Sequence, residues 1–120
     1  MNIDQLRNHC LKKKGVTEDF PFDEHTLVFK VLGKMFALVG LEKWESGNRF
    51  INLKCDPEYA QELRAEYDSI YPGYHMSKVH WNSVELNSGE ISAAFLFELI
   101  DHSYDMVVKG MTKKMRESLQ

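Results

Sequence analysis

The 120-residue sequence predicts an α+β domain of two layers, helices packed on an antiparallel sheet, in the order α-β-β-β-α-β(β)-α. Three stretches predict it. "TLVFKVLGKMFALVGL" sets two apolar runs rich in Val and Phe around a glycine, a hairpin pattern. "CDPEYAQELRAEYDSIYPG" opens on a capping aspartate and a first-turn proline and continues with apolar residues at helical spacing. "ISAAFLFELIDHSYDMVVKGM" is apolar around most of its circumference in its first half, as a helix buried on several sides must be. A chain of 14.0 kDa has enough apolar surface for one core, so residues 1–120 are read as a single domain.

At the N-terminus, Asn2 and Gln5 suit a capping box, Ile3, Leu6 and Leu11 share one helical stripe, and Gly15 is the expected stop. Lys12, Lys13 and Lys14 fall where the helix dipole favours cations, a simpler account of the lysine run than a phosphate site. In the hairpin, glycine at the first central position of a Gly33-Lys34 turn suits type II′. Pairing across it sets Val31 opposite Phe36, Phe29 opposite Leu38 and Leu27 opposite Gly40 as the core face. The reverse face, with Val28, Lys30, Met35 and Val39, is too apolar for open water and is read as partly covered or as a contact surface.

"EKWESGNR" reads as a polar loop, and "FINLKC" as a strand with Ile51, Leu53 and Cys55 inward. The next helix starts at Asp56 and buries Tyr59, Ala60, Leu63 and Tyr67, and Pro72-Gly73 turns the chain into "YHMSKVHWNSVEL". There, strand alternation puts His80, Asn82, Val84 and Leu86 on one side and Trp81, Ser83 and Glu85 on the other. Asn87 with Glu90 predicts a capping box for the last helix, and the tail, residues 113–120, is expected to continue it and fray.

No stretch has the length of a signal peptide's apolar region or a membrane span, so a cytoplasmic protein with no membrane partner is expected. Cys10 and Cys55 are expected to be reduced, buried thiols. Net charge is −3, which argues against bulk electrostatic coating of nucleic acid, but the charge is unevenly distributed. Residues 26–55 hold five basic and two acidic side chains, whereas residues 56–71 hold five acids and one arginine.

The chemistry of enzymes is poorly represented. His75 and His80, five apart on a strand, point to opposite faces and do not chelate one ion, so no metal and no cofactor is expected. There is no nucleophile elbow, phosphate loop or dinucleotide fingerprint. "DHSYD" invites a catalytic triad, yet consecutive helical residues diverge by about 100°, so His102 and Tyr104 are read instead as hydrogen-bonding the helix to the sheet. No catalytic residue is assigned. Trp81 is read as a packing residue, with Lys78 and Asn82 suited to phosphate and base-edge contacts.

The series "DFPFDEHTLVFKVLGKMFALV", "YPGYHMSKVHWNSVEL" and "LIDHSYDMVVKGM" resembles the MmcQ/YjbR family of small bacterial proteins, over nearly the whole chain and in the same order. The resemblance implies a compact α+β fold similar to type III secretion chaperones and to CyaY, and a DNA-binding role through a "double wing" of β-hairpins. Carried over, it makes Lys30 and Lys34 the first wing and places His75, Lys78, His80 and Asn82 in the second. The sequence departs from the family at Val79, where relatives often carry a further basic residue. Three readings stay open: a DNA-binding domain; a protein-interaction or homodimer module using the hairpin's reverse face; and a small-ligand pocket near His75, His80 and Trp81.

Overall fold

The protein, as a computed structural model describing residues 1–73 and 76–120, builds its sheet from strands that are mostly adjacent in sequence. The elements are α1 (Ile3–Leu11), β1 (Val16–Asp19), β2 (Thr26–Val31), β3 (Lys34–Gly40), α2 (Leu41–Glu45), β4 (Phe50–Lys54), α3 (Pro57–Glu66), β5 (Ile70–Pro72), β6 (Trp81–Glu85), α4 (Ala93–Lys109) and α5 (Lys113–Glu117). The six strands pair antiparallel in the order β1-β2-β3-β4-β6-β5. The expected α+β architecture and element order are present, with β1 and the short helices α2 and α5 added.

One face of the sheet carries the core. Leu6 and Cys10 of α1, Trp44 of α2, Ala60 and Leu63 of α3 and Leu96, Ile100 and Val107 of α4 pack with Phe29, Phe36, Ile51 and Val84 of the sheet. The expected inward set Ile51, Leu53 and Cys55 is buried. On the opposite face Val28, Leu38 and Trp81 form a smaller cluster with Met35 and Met76. Among the described residues no helix is long and apolar enough to cross a membrane.

The hairpin register differs from the sequence reading. Its turn residues are Leu32 and Gly33, both at positive φ (49° and 83°), as a type I′ turn requires, so Val31 pairs with Lys34. A left-handed leucine costs about 1–2 kcal/mol, and Leu32 offsets this by packing, with Leu119, against the main core. Phe29 then pairs with Ala37 and Lys30 with Met35, leaving Phe36 as the extra residue of a bulge. The core face of β3 is therefore Phe36, Ala37 and Val39, and Leu38 turns to the opposite face.

Other boundaries move for local reasons. The Asn2–Gln5 capping box and the Asp56 cap form as expected, but α1 ends at Leu11, before Gly15. Ser92, not Asn87, caps α4, because Glu90 instead accepts the Ser69 backbone amide and its carboxyl is held below its ordinary value by that bond. "LEKWE", expected as loop, forms α2, which carries Trp44 into the core. The tail forms a short helix of its own: Thr112 caps α5, and Met115 and Leu119 pack against the core. The stretch after α3 is strand from Ile70, and among the described residues of the histidine-rich segment only Trp81–Glu85 is strand.

The "DHSY" run ties α4 to its surroundings. Asp101 meets His9 of α1 (2.7 Å) and Lys13, just after that helix (2.5 Å). Burial pushes its carboxyl up, but the hydrogen bonds from Lys13 and His9 outweigh that and hold it below its ordinary value. His102 Nε2 accepts the Asp56 amide at the start of α3 (3.2 Å), and Tyr104 donates to the Lys14 carbonyl (2.6 Å), so neither bonds the sheet. Ser103 does. Its Oγ donates to the Phe36 carbonyl (2.5 Å) and accepts from the Lys54 amide (2.8 Å), bridging β3 and β4 just beyond their Ala37–Leu53 pair. Replacing Ser103 by alanine leaves both backbone groups without that partner. Ser103→Ala is expected to lose about 2–4 kcal/mol of stability in urea unfolding with an unchanged m-value; a loss below about 0.5 kcal/mol would show that the bridge contributes little.

Candidate nucleic-acid interface

Register decides where the basic side chains lie. Along β2 and β4, alternation puts Lys30 and Lys54 on the face opposite the core. Lys30 pairs with Met35, and Lys54 pairs with Trp81. This transverse row lies at the end of the sheet where the β2–β3 turn carries Lys34. The turn Lys78–His80, exposed throughout, enters β6 at the same end, where the Cys55 amide bonds the His80 carbonyl (2.8 Å). Lys34 is cross-strand from buried Val31, so it sits at the tip on the helix side of the sheet.

Two residues missed as site candidates join this end. The Leu32 amide donates to the Gly15 carbonyl (3.0 Å), bringing the end of α1, with exposed Lys12 and Lys14, beside the hairpin tip. Helix termination explains those lysines locally and does not reveal where the terminus docks. A Cβ on Gly15 would lie 2.6 Å from Leu119, a close approach that seats the segment after α5 against the same tip. The exposed Lys113 and Lys114 of α5 precede it by six and five residues.

The sequence-assigned residues divide. Lys34, Lys78 and His80 are exposed, and neither lysine has a carboxylate within ion-pair distance among the described residues. Lys30 is half-buried beside Asp19 (3.4 Å), which partly neutralises it. Asn82 is 2% exposed and on the helix side, where its Oδ1 accepts from Arg64 Nε (2.7 Å), so it is not available to a base. His75 lies outside the described residues. Trp81 packs, as expected, at 9% exposure.

Arg64, the only arginine in the acidic stretch, is the residue that shapes the second turn. Besides Asn82, its guanidinium donates to the carbonyls of Lys78 (2.5 Å) and Trp81 (3.2 Å), clamping the chain on both sides of His80. Arg64→Ala should leave the buried Asn82 oxygen unpaired and cost about 1–3 kcal/mol. Hydrogen exchange is the test: the Trp81 amide, bonded to Ser77, should exchange faster while amides of α4 keep their relative protection. Unchanged exchange at Trp81 would remove Arg64 from this role.

The other end of the uncovered face differs. A concavity of about 750 Å³ runs from Phe22, His25 and Phe50 over Leu38 and Asn52 to Met35 and Met76. Its far rim carries Asp23 and Glu42 with Lys43, whose Nζ lies over the Phe50 ring, and Glu85 pairs with Phe50. Asp23 accepts the His25 and Thr26 amides, which hold its carboxyl below its ordinary value. Phe22 is 63% exposed at this rim. Among the described residues no three His, Cys, Asp or Glu side chains converge as metal ligands.

Residues 11–106 match the family described as YjbR. The chain belongs to the YjbR family. It is 44% identical over 95 residues to the uncharacterized protein YbdF of Escherichia coli O157:H7, covering 79% of this chain and 75% of that one. To the uncharacterized protein YjbR of Escherichia coli K12 it is 29% identical over 119 residues, covering 99% and 98%. The fold superposes on the crystal structure of a Deinococcus radiodurans protein with a DUF419 domain at a TM-score of 0.88 and 43% identity, covering 98% of this chain and 87% of that one. A Pseudomonas syringae protein matches at a TM-score of 0.72 and 32% identity, covering 88% and 98%. The YjbR architecture thus spans essentially the whole chain, and the motifs that carried the resemblance are those of its hairpin, second turn and last helix.

Proposed function

We propose that this YjbR-family protein is a non-catalytic DNA-binding protein of the cytoplasm, and that it grips phosphates with the basic end of its sheet. One observation carries the reading: folding gathers, from distant segments, lysines without an ion-pair partner among the described residues (Lys12, Lys14, Lys34, Lys54 and Lys78) at one end of a chain whose net charge is −3. Lysines on turns and helix ends suit phosphate positioning, which supplies affinity without sequence preference. His80 stands exposed between them, close enough to the second turn to contact a sugar or base edge. Cys10 and Cys55 are free and buried, burial pushing their thiols up to about 12 and about 11, which fits a reducing compartment.

The test is a salt titration of duplex binding. Each phosphate contact contributes about −0.9 to the slope of log K against log salt, so Lys34→Ala and Lys78→Ala should each flatten it by about one and weaken binding on every sequence alike. Slopes that do not change in either variant, or no association at about 50 mM salt, would overturn the proposal.

A second reading, contact with another copy through the uncovered face, is favoured by the arrangement of that face. Lysines lie at one end, Asp23, Glu42 and Glu85 outnumber Lys43 at the other, and Val28, Leu38 and Met35 lie between them. A copy turned end for end would set opposite charges together around an apolar centre. Sedimentation at about 100 µM protein should then show a dimer that Leu38→Glu dissociates; a monomer at that concentration excludes this reading.

A further inference from the structure

The apolar concavity begins where the lysine row ends, and the phosphate contacts leave it unused. Met35 belongs to both: it pairs with Lys30 and it lines the concavity. From there the lining passes to Met76, Leu38 and Asn52 and ends between Phe50 and Phe22. A volume of about 750 Å³ lies within the range of sites that hold a small organic group. Methionine and phenylalanine surfaces favour a flat, polarizable ring, and an open antiparallel sheet face is a stacking platform for bases that are not paired.

The polar side chains of the lining are Asp23, His25, Thr26, Glu42, Lys43 and Asn52, and Asn52 is held in a fixed orientation. Asn52 Oδ1 accepts the Ser83 hydroxyl (2.5 Å), which leaves its amide nitrogen as the donor for whatever lies in the concavity that Asn52 lines. A ring-edge carbonyl or ring nitrogen, present on every nucleobase, is the complementary acceptor. Phe22, 63% exposed on the loop preceding β2, costs apolar exposure in the free protein and gains burial when a ring lies beside it. In a duplex the bases are stacked and out of reach of such a site, whereas an unpaired strand held at the lysine row can extend a base into it.

We infer that the concavity lined by Met35, Asn52, Phe50 and Phe22 receives an unstacked base, so that the protein prefers single-stranded to duplex DNA. This inference rests on the DNA reading above. Fluorescence anisotropy on the full chain separates the two, using a labelled oligothymidine strand, the same backbone with abasic sites throughout, and a duplex of equal length. The strand with bases should bind about tenfold more tightly than either of the others at the same salt, and Phe22→Ala and Phe50→Ala should bring it toward the abasic value. Phe22 is exposed, so its variant tests the site even if Phe50→Ala proves unstable. Equal, salt-sensitive affinity for all three probes would overturn the base site while leaving the phosphate-binding end standing. Failure of all three to bind would remove both.

Discussion

The last long helix is tied to its surroundings by four consecutive polar side chains, Asp101, His102, Ser103 and Tyr104. Each residue of a helix is rotated by about 100° from the one before, so four in succession look outward in four directions. That geometry prevents the run from forming a catalytic relay, and it is also what allows one helical turn to bond four different parts of the molecule: α1, the start of α3, the β3–β4 seam, and the segment after α1. Where a helix is covered, a polar group lies next to protein rather than water and must find a partner there; Asp101, with a side chain 46% exposed, faces partly outward. Ser103 is the most constrained, being fully buried and bonded on both sides of a hydroxyl that acts as donor and acceptor at once.

The same bond reaches the candidate interface. Ser103 holds the backbone of Lys54, whose neighbour Cys55 bonds the His80 carbonyl, while Arg64 fixes the chain before and after His80. The second turn is therefore positioned from the core outward, by a serine below the sheet and an arginine beside it. Contacts made by exposed lysines gain specificity only if their backbone is placed in advance, because a flexible side chain on a flexible loop loses on ordering what it gains from a phosphate.

What could be read from the residues follows the range of the interactions. The Asn2–Gln5 box, the Asp56 cap and the inward set of β4 depend on neighbours within a few positions, and they stand where the pattern puts them. The hairpin register departs from the local pattern because a left-handed leucine is disfavoured locally, and Leu32 packs against a core it shares with a residue 87 positions later, Leu119. Asn82 looked like a surface amide because nothing near it in the chain reveals Arg64 as its partner. The lysine run at the end of α1 shows the converse: its local explanation is sound, and its location beside the hairpin tip follows from one backbone bond to Leu32.

Net charge is a weak guide to such a surface, for a reason of scale. At physiological ionic strength the field of an exposed charge decays over about 8 Å, while the molecule is 41 Å along its longest axis. Asp23, Glu42 and Glu85, at the far end of the sheet, therefore do little to cancel Lys34 and Lys78, whereas Asp19 at 3.4 Å does weaken Lys30. Acidic side chains that accept backbone amides, as Asp23, Asp56 and Glu90 do, are fixed at element ends by the fold and are not free to drift toward the lysines. A chain of negative total charge thus keeps a positive end, because the positions of its carboxylates are set by capping and those of its lysines by the register of the sheet.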